Sequence, residues 1–397
     1  MTCEHALFFQ VLKDYMNGKP TELPPEADLV KLCDWAKVHK LGGIFFAQCG
    51  LNLMQHPAIY SKLQNAFGSA VYQAATREKD YAELKAAFAQ AGIPFIPVKG
   101  AVIAPFYPDP QLRTMSDLDL VVRTEDKERI RDVLTPLGFR NKRWSDVEWH
   151  YARNTSLFEL QAELIRPNAL NNKALQDYIN DTWSHAVSEN GSFRLNDSFH
   201  FLYLMVHIAK HLRIVGIGFR SFYDLAILMQ RCPERLDWKW IRTESERLHF
   251  FRFVMLCLAM TERWFDVPSP FPTDELTDTF FNTMTEKIFA NGVFGFNSAD
   301  NTVALLSSEL VRSGKDLSFR NRIRVARKLA FPPYRDLILS SKYGYLKGHP
   351  WLLPCAWVHR AVQGRKSTFH IRELSKALTA DKDSVRERID YLDQLGI

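Results

Sequence analysis

Residues 3–90 place apolar side chains at the three- and four-residue spacing that is typical of amphipathic helices. Gly-Lys-Pro at 18–20 and Pro24-Pro25 punctuate this pattern. Gly68 is a candidate break in the last helix, because glycine is unfavourable inside helices. The pattern therefore predicts a helical region over residues 1–91, with helices at Glu4–Met16, Asp28–His39, Leu41–Cys49 and Ala58–Ala91.

Between residues 93 and 165 the pattern changes to short apolar runs and alternating positions, which favour strands. We expect strands at 93–98 and 117–123, a helical turn at 100–106, a helix at 125–137, and then two or three strands ending by Leu164. Thr124 is the predicted N-cap of the helix, and Leu137-Gly138 its end. The order β-α-β-α-β-β-β predicts a small mixed sheet.

From residue 168 onward the helical spacing returns. Asn196-Asp197 is predicted to cap an apolar helix at Ser198–Leu212, and residues 232–330 continue as Trp- and Phe-rich helices. The C-terminal end, with Leu374, Leu378, Val385, Ile389 and Leu392 at helical spacing, predicts a terminal helical hairpin. The fold class is therefore α+β, with a small mixed-sheet core at 92–167 embedded between helical regions at 1–91 and 168–397.

The stretch Ser116–Val122 carries two acids at alternate positions. In a strand, Asp117 and Asp119 point to one face while the leucines and valine between and after them point to the other. Glu159 lies in a second alternating stretch, with Gln161 on the same face. Clustered carboxylates raise one another's pKa unless a cation lies between them, and Mg²⁺ prefers oxygen ligands. The pair Asp117 and Asp119 is therefore a candidate metal site, and with Glu159 on an adjacent strand the three acids could hold two divalent ions.

Lys99-Gly100 follows the first predicted strand directly and opens a weakly helical run to Tyr107. Backbone N–H groups and a lysine at such a corner suit an anion, and phosphate fits best. Arg113 stands four residues before Asp117. Its guanidinium suits either a phosphate or a core carboxylate, and a solvated loop arginine is the remaining interpretation.

These motifs share a pattern: K-G after a strand, R-x-x-S-D-x-D after a Pro-rich loop, and a later strand with a central Glu. They resemble the nucleotidyltransferases of the DNA polymerase beta superfamily. The sequence VKG…FYPDPQLRTMSDLDLVV…LGF is similar to the sequences of a typically bacterial family of uncharacterised nucleotidyltransferases. The similarity covers about residues 93–163 and, more weakly, 196–230. Ala101 departs from the pattern, because such folds usually follow this Gly with Gly or Ser against the triphosphate.

The resemblance implies an enzyme dependent on Mg²⁺ or Mn²⁺ that transfers NMP from an NTP to an unidentified acceptor and releases pyrophosphate. The acceptor is a small molecule, a protein or RNA. Asp117 and Asp119 would bind the metal ions, and Glu159 would complete the acceptor-side metal and help to take the acceptor proton. The implied nucleotide-binding residues are Lys99, Gly100, Arg113 and Ser116.

The weaker similarity at 196–230 includes His residues and an R…D pair that Arg220 and Asp224 match. We interpret this pair as a buried ion pair or as part of an acceptor-binding wall. His207 and His211 are one turn apart, and His200 precedes them. A zinc site is not predicted there, because the Glu of an H-E-x-x-H motif is missing.

Two other classes of function stay open. Ala101 is compatible with a catalytically silent nucleotide-binding module. The basic segment Arg320–Lys328 and the terminal hairpin are compatible with a nucleic-acid-associated protein. The net charge of +6 over 397 residues is mild for such a protein, and acids in the last helix suit a phosphate-facing surface poorly.

The remaining composition indicates a globular chain. Its six cysteines have no C-x-x-C spacing, so free thiols in a reducing cytoplasm are expected. No apolar run approaches the ~18–20 residues that span a bilayer, and no export signal is apparent, so no membrane partner is predicted. The sequence does not specify the oligomeric state.

Overall fold

The protein is described from a computed structural model. The description covers residues 2–145, 147–166, 169–189, 191–214 and 216–292, and then 323, 327, 330–338, 341–346, 348–365 and 382–397. The prediction for Arg320–Lys328, apart from Ile323 and Arg327, lies outside the described residues. So does the first half of the predicted terminal hairpin, with Leu374 and Leu378.

Four N-terminal helices form as predicted, to within a few residues at each end. Thr2 caps the first by accepting from the His5 N–H, and Gly18 ends it in the left-handed conformation with φ 64°. The predicted break at Gly68 is wrong, because the fourth helix is continuous through it and a Cβ there would meet nothing within 4 Å. The helices are α1 Cys3–Asn17, α2 Leu29–Val38, α3 Gly42–Cys49 and α4 Pro57–Ala91.

The predicted β-α-β-α-β-β-β segment forms one five-stranded mixed sheet, in the order β1-β2-β5-β4-β3. β2 and β5 are parallel, and the other neighbours are antiparallel. Thr124 is not the N-cap of α6: it begins a short 3₁₀ turn, and Asp126 precedes the helix. The elements are β1 Phe95–Pro97, α5 Gly100–Ile103, β2 Leu118–Val122, α6 Lys127–Leu134, β3 Arg140–Trp144, β4 Glu148–Arg153 and β5 Ser156–Gln161.

The two faces of the sheet differ in polarity. One face packs against α4 and α6 in a fully apolar cluster. As the alternation in β2 predicts, Leu118, Leu120 and Val122 belong to this cluster, whereas Asp119 lies on the opposite face. The cluster also contains Leu84, Phe88, Ile130, Leu134, Trp149, Tyr151, Phe158 and Leu160.

The C-terminal region is mainly helical, as predicted, but it also contains a two-stranded hairpin that the sequence pattern did not reveal. Each strand is only four residues long, at the lower limit of length over which alternation identifies a strand. Asn196 caps α8 through its Oδ1, which accepts from the N–H groups of Ser198 and Phe199, as expected. The elements are α7 Lys173–Asn180, β6 Ala186–Glu189, β7 Ser192–Leu195, α8 Asp197–Ile214, α9 Phe219–Arg231, α10 Trp238–Arg247, α11 Phe251–Phe265, α12 Asp278–Asn291, α13 Tyr334–Leu337, α14 Leu353–Arg365 and α15 Lys382–Leu395.

Helices from both ends of the chain share one hydrophobic core. The ring of Phe9 in α1 lies 4.9 Å from that of Phe219 in α9, which lies 5.1 Å from that of Trp264 in α11. Leu392 and Leu395 of α15 are fully buried in the same cluster. Helices α1, α9, α11 and α15 therefore share one hydrophobic core, whereas α4 also contributes to the cluster on the first face of the sheet.

All six cysteines are free thiols, and four of them are buried. No described helix combines the length and the apolar character needed to cross a membrane.

A buried ion pair joins α4 to the sheet. Arg153 of β4 donates to Asp80 at 2.6 Å and to the more exposed Glu83 at 2.7 Å. We expect Arg153→Met to lower the free energy of unfolding by about 3 kcal/mol, because it leaves the Asp80 carboxylate buried without its cation. The matched change Glu83→Gln should cost less than about 1 kcal/mol. Urea unfolding of the two variants measures both values, and equal losses would contradict this assignment.

Candidate active site

The polar face of the sheet carries a row of chemically active side chains. Asp119 of β2 lies directly opposite Glu159 of the parallel strand β5, and Glu159 lies opposite His150 of β4. In the next row, Gln161 of β5 lies opposite Glu148 of β4. Because neighbouring residues in a row lie about 5 Å apart, their side chains share one surface.

Lys99 and Asp119 form a close ion pair, with Lys99 Nζ 2.6 Å from Asp119 Oδ1. Gln161 Nε2 donates to the same oxygen at 3.2 Å. Burial alone would lower the pKa of Lys99, but Asp119, Tyr203 and Glu159 together outweigh burial and raise this pKa well above its ordinary value. Lys99 therefore stays an ammonium group that orients Asp119.

The backbone at Lys99 is strained, with φ 52° and ψ −122°. Its N–H donates to Nε2 of His200 at 2.9 Å, which fixes the turn against α8. Burial lowers the pKa of His200 to about 4, so its imidazole is neutral and accepts this bond. His200 is thus an anchor for the turn.

Arg113 and Asp224 form a second buried pair. Arg113 donates to the two carboxylate oxygens at 3.2 and 2.7 Å, and the Tyr107 hydroxyl donates to Asp224 Oδ1 at 2.6 Å. Of the partners considered for Arg113, the structure selects a core carboxylate. The predicted ion pair between Arg220 and Asp224 does not form, because Arg113 takes the place of Arg220. Arg220 instead donates to the carbonyl of Thr114 at 2.7 Å and to the hydroxyl of Thr114 at 3.2 Å.

Sequence reasoning missed Glu148, His150 and Arg166. Arg166 Nε donates to Glu148 at 2.7 Å; His150 Nε2 lies 2.7 Å from Glu148 and 3.6 Å from Glu159. Among the described residues, Glu148, His150 and Glu159 form the group whose ligand atoms lie within 4.8 Å of one another. The alternation Glu148-Trp149-His150 was the available signal, since it places the acid and the histidine on one strand face.

Burial perturbs the pKa of the acids of this row, and Glu159 is one of them. Burial, together with the neighbouring Asp119, Glu148 and Asp117, raises its pKa to about 7 against the lowering effect of Lys99. The sheet face therefore carries more negative charge than its own cations neutralise.

These side chains line one cleft of about 520 Å³ between the sheet and the helices α8 and α9. All nine residues that the sequence singled out lie around it: Lys99, Gly100, Arg113, Ser116, Asp117, Asp119, Glu159, Arg220 and Asp224. The wall opposite the sheet adds His207, Lys210 and His211 from α8. The rings of His207 and His211 lie 4.4 Å apart, and burial lowers the pKa of both, so both are neutral.

The family model described as "Uncharacterised nucleotidyltransferase" matches residues 25–266. The chain belongs to that family. The match runs from before α2 to the end of α11, so it contains the sheet, the helical wall and every residue named around the cleft. No curated protein and no solved structure matches the chain. Membership supports nucleotidyl transfer in general, with an NTP as the substrate.

Nucleotidyltransferases generally use divalent metal ions, and the donors in this cleft fit such an ion. The cleft presents the carboxylates of Asp117, Asp119 and Glu159, which are hard oxygen donors.

Gly100 makes the close approach of Arg113 to the turn possible. A Cβ at Gly100 would lie 2.3 Å from Arg113 Nη1 and 3.1 Å from Met115 Sδ. We expect Gly100→Ala to lower the free energy of unfolding by about 1–3 kcal/mol, because it overpacks a buried site and displaces a paired guanidinium.

Gly68→Ala is the matched control for this change. A Cβ at Gly68 would meet no neighbour in the exposed middle of α4, so the variant should gain about 0.5–1 kcal/mol of stability. Thermal and urea unfolding report both changes, and a Gly100→Ala protein as stable as the wild type would contradict the predicted clash.

Proposed function

We propose that this chain is a Mg²⁺- or Mn²⁺-dependent nucleotidyltransferase that moves NMP from an NTP to a hydroxyl or phosphate acceptor and releases pyrophosphate. The observation that carries the proposal is the pairing of Asp119 with Glu159 on adjacent parallel strands, on the floor of a cleft that Asp117 also lines. Membership of a nucleotidyltransferase family supports the reaction class.

In this proposal Asp117, Asp119 and Glu159 hold the metal. The bound cation supplies positive charge at the transferred phosphoryl group and lowers the pKa of the acceptor hydroxyl. The acceptor oxygen loses its proton and forms a bond to the α-phosphorus, while the bond from that phosphorus to the bridging oxygen breaks and pyrophosphate leaves. The chain mainly positions the two reactants for this in-line attack.

Other residues keep the acids in place. Lys99 and Gln161 orient Asp119 through its Oδ1. The pair of Arg113 and Asp224 ties the loop before Asp117 to α9. On the acceptor side, the His150–Glu148 contact lies beside Glu159, which is the carboxylate we assign to help take the acceptor proton.

The proposal predicts that Asp117→Ala abolishes metal-dependent transfer while the fold stays intact. Asp117 is half-buried and forms no ion pair among the described residues, so its removal exposes no apolar core. Asp34→Ala, an exposed acid on α2, is the matched control and should transfer normally.

The assay incubates each labelled NTP with Mg²⁺ or Mn²⁺ and host-cell extract and then identifies what becomes labelled. Wild-type rates in a folded Asp117→Ala protein would refute the assignment. Asp119→Asn is less clean, because it also removes the carboxylate that compensates the buried Lys99.

A separate prediction concerns Glu159→Gln. The amide keeps the size of the side chain and leaves Asp117 and Asp119 to hold the nucleotide, so NTP binding should persist while the rate falls by roughly 10²–10⁴-fold. Single-turnover kinetics alongside equilibrium NTP binding separate the two effects. Loss of binding in proportion to the rate would instead make Glu159 a primary ligand of the triphosphate-bound metal.

A further inference from the structure

Three ion pairs cancel most of the charge in the cleft. Lys99 pairs with Asp119, Arg113 with Asp224, and Arg166 with Glu148. The charged lining residues that remain separate by side. On the sheet side they are the acids Asp117, Glu159 and Glu163; on the helical wall they are the cations Lys210 and Arg220.

The two wall cations have no carboxylate partner in the part of the chain that the structure describes. Lys210, half-buried on α8, has neither a hydrogen bond nor an ion pair there. Arg220, at the start of α9, donates from Nη1 to Thr114, but its Nε is buried without a partner. Leaving such groups uncompensated is unfavourable.

The electrostatics of the wall agree with this geometry. Burial and the charge of Lys99 lower the pKa of Lys210 to about 8, against the raising effect of Glu159 and Asp119 across the cleft. Burial also lowers the pKa of Arg220, and Arg113 adds to that effect. A bound anion would stabilise the charged forms of both side chains.

The corner expected to hold phosphate is already filled by the chain itself. The Lys99 N–H is bound to His200, its ammonium group to Asp119, and the Arg113 guanidinium to Asp224. The space at Gly100 is taken by Arg113. Ala101 packs against the apolar cluster under the sheet. The cations left to meet a phosphate are therefore those of the opposite wall.

We propose that Lys210 and Arg220 form a phosphate-binding site on the helical wall of the cleft, facing the acids of the sheet. The phosphate belongs either to the polyphosphate tail of the nucleotide or to an anionic acceptor. This inference rests on the proposed function in placing a nucleotide in the cleft. A metal-bound phosphate fits between an acidic floor and a basic wall, since each side then meets opposite charge.

The test measures the affinity for inorganic tripolyphosphate in the presence of Mg²⁺ by isothermal titration calorimetry. Lys210→Met should weaken binding by about tenfold or more, because it removes a charged contact. The control Lys239→Met changes an exposed lysine on α10 and should bind as the wild type does. Arg220→Lys keeps the positive charge but loses the planar guanidinium that can donate two parallel hydrogen bonds. Thermal unfolding checks that each variant is folded.

Two further titrations identify the source of the phosphate. If the wall holds the nucleotide tail, an NTP with a non-hydrolysable α,β-methylene bridge loses affinity in Lys210→Met and blocks the binding of inorganic phosphate to the wild type. If the wall holds an acceptor phosphate, nucleotide affinity is unchanged, and inorganic phosphate still binds to the nucleotide-filled wild type in a Lys210-dependent manner.

Unchanged tripolyphosphate affinity in both wall variants, or no binding to the wild type, would overturn the inference. The result is independent of the reaction itself. If binding depends on Lys210 or Arg220 but no labelled product forms, only the proposed function is contradicted. If transfer occurs but binding does not depend on these residues, only the phosphate site is contradicted.

Discussion

The buried pair between Arg113 and Asp224 joins the two halves of the cleft. Its partners are 111 residues apart, one in the loop that leads into β2 and the other on α9. The Tyr107 hydroxyl donates to the same carboxylate, so both oxygens of Asp224 are satisfied. Burying two charges costs solvation energy, and an ion pair regains that energy only with good geometry. The main contribution of this pair is therefore to fix the loop before β2 in one position against α9.

The cleft depends on the whole fold for the same reason. The five-stranded sheet has a dedicated apolar cluster on only one side, against α4 and α6. Its polar face is closed by α8 and α9, which belong to the large core that the N-terminal and C-terminal helices share. An isolated sheet of this size would bury little surface. The helical regions therefore complete both the stability of the sheet and the walls of the site.

Charge is distributed in layers across this site. The floor has acids in excess, the middle is neutralised by the pairs of Lys99 and Arg113, and the far wall carries Lys210 and Arg220. In a partly buried cleft the effective dielectric constant is low, so such layers act strongly on a charged ligand. The electrostatic potential therefore changes sign across the cleft: the sheet side favours bound cations, and the helical side favours bound anions.

The sequence by itself determined those features of the fold that depend only on residues close together in the chain. The period of two in β2 and β5 placed Asp119 and Glu159 on one polar face, and the helical period located α1 to α4 and the capped start of α8. Such patterns are local, because the geometry of a strand or helix repeats within a few residues. The strands of the β6–β7 hairpin are only four residues long, at the lower limit for this signal, so the hairpin escaped prediction.

The tertiary structure alone decided which charges meet. It paired Arg113 with Asp224, brought His150 beside Glu159 through the register of β4, and left Lys210 facing the acids without a partner among the described residues. These choices depend on packing between segments far apart in the chain, and no local periodicity encodes the distance between two side chains that only the folded core brings together.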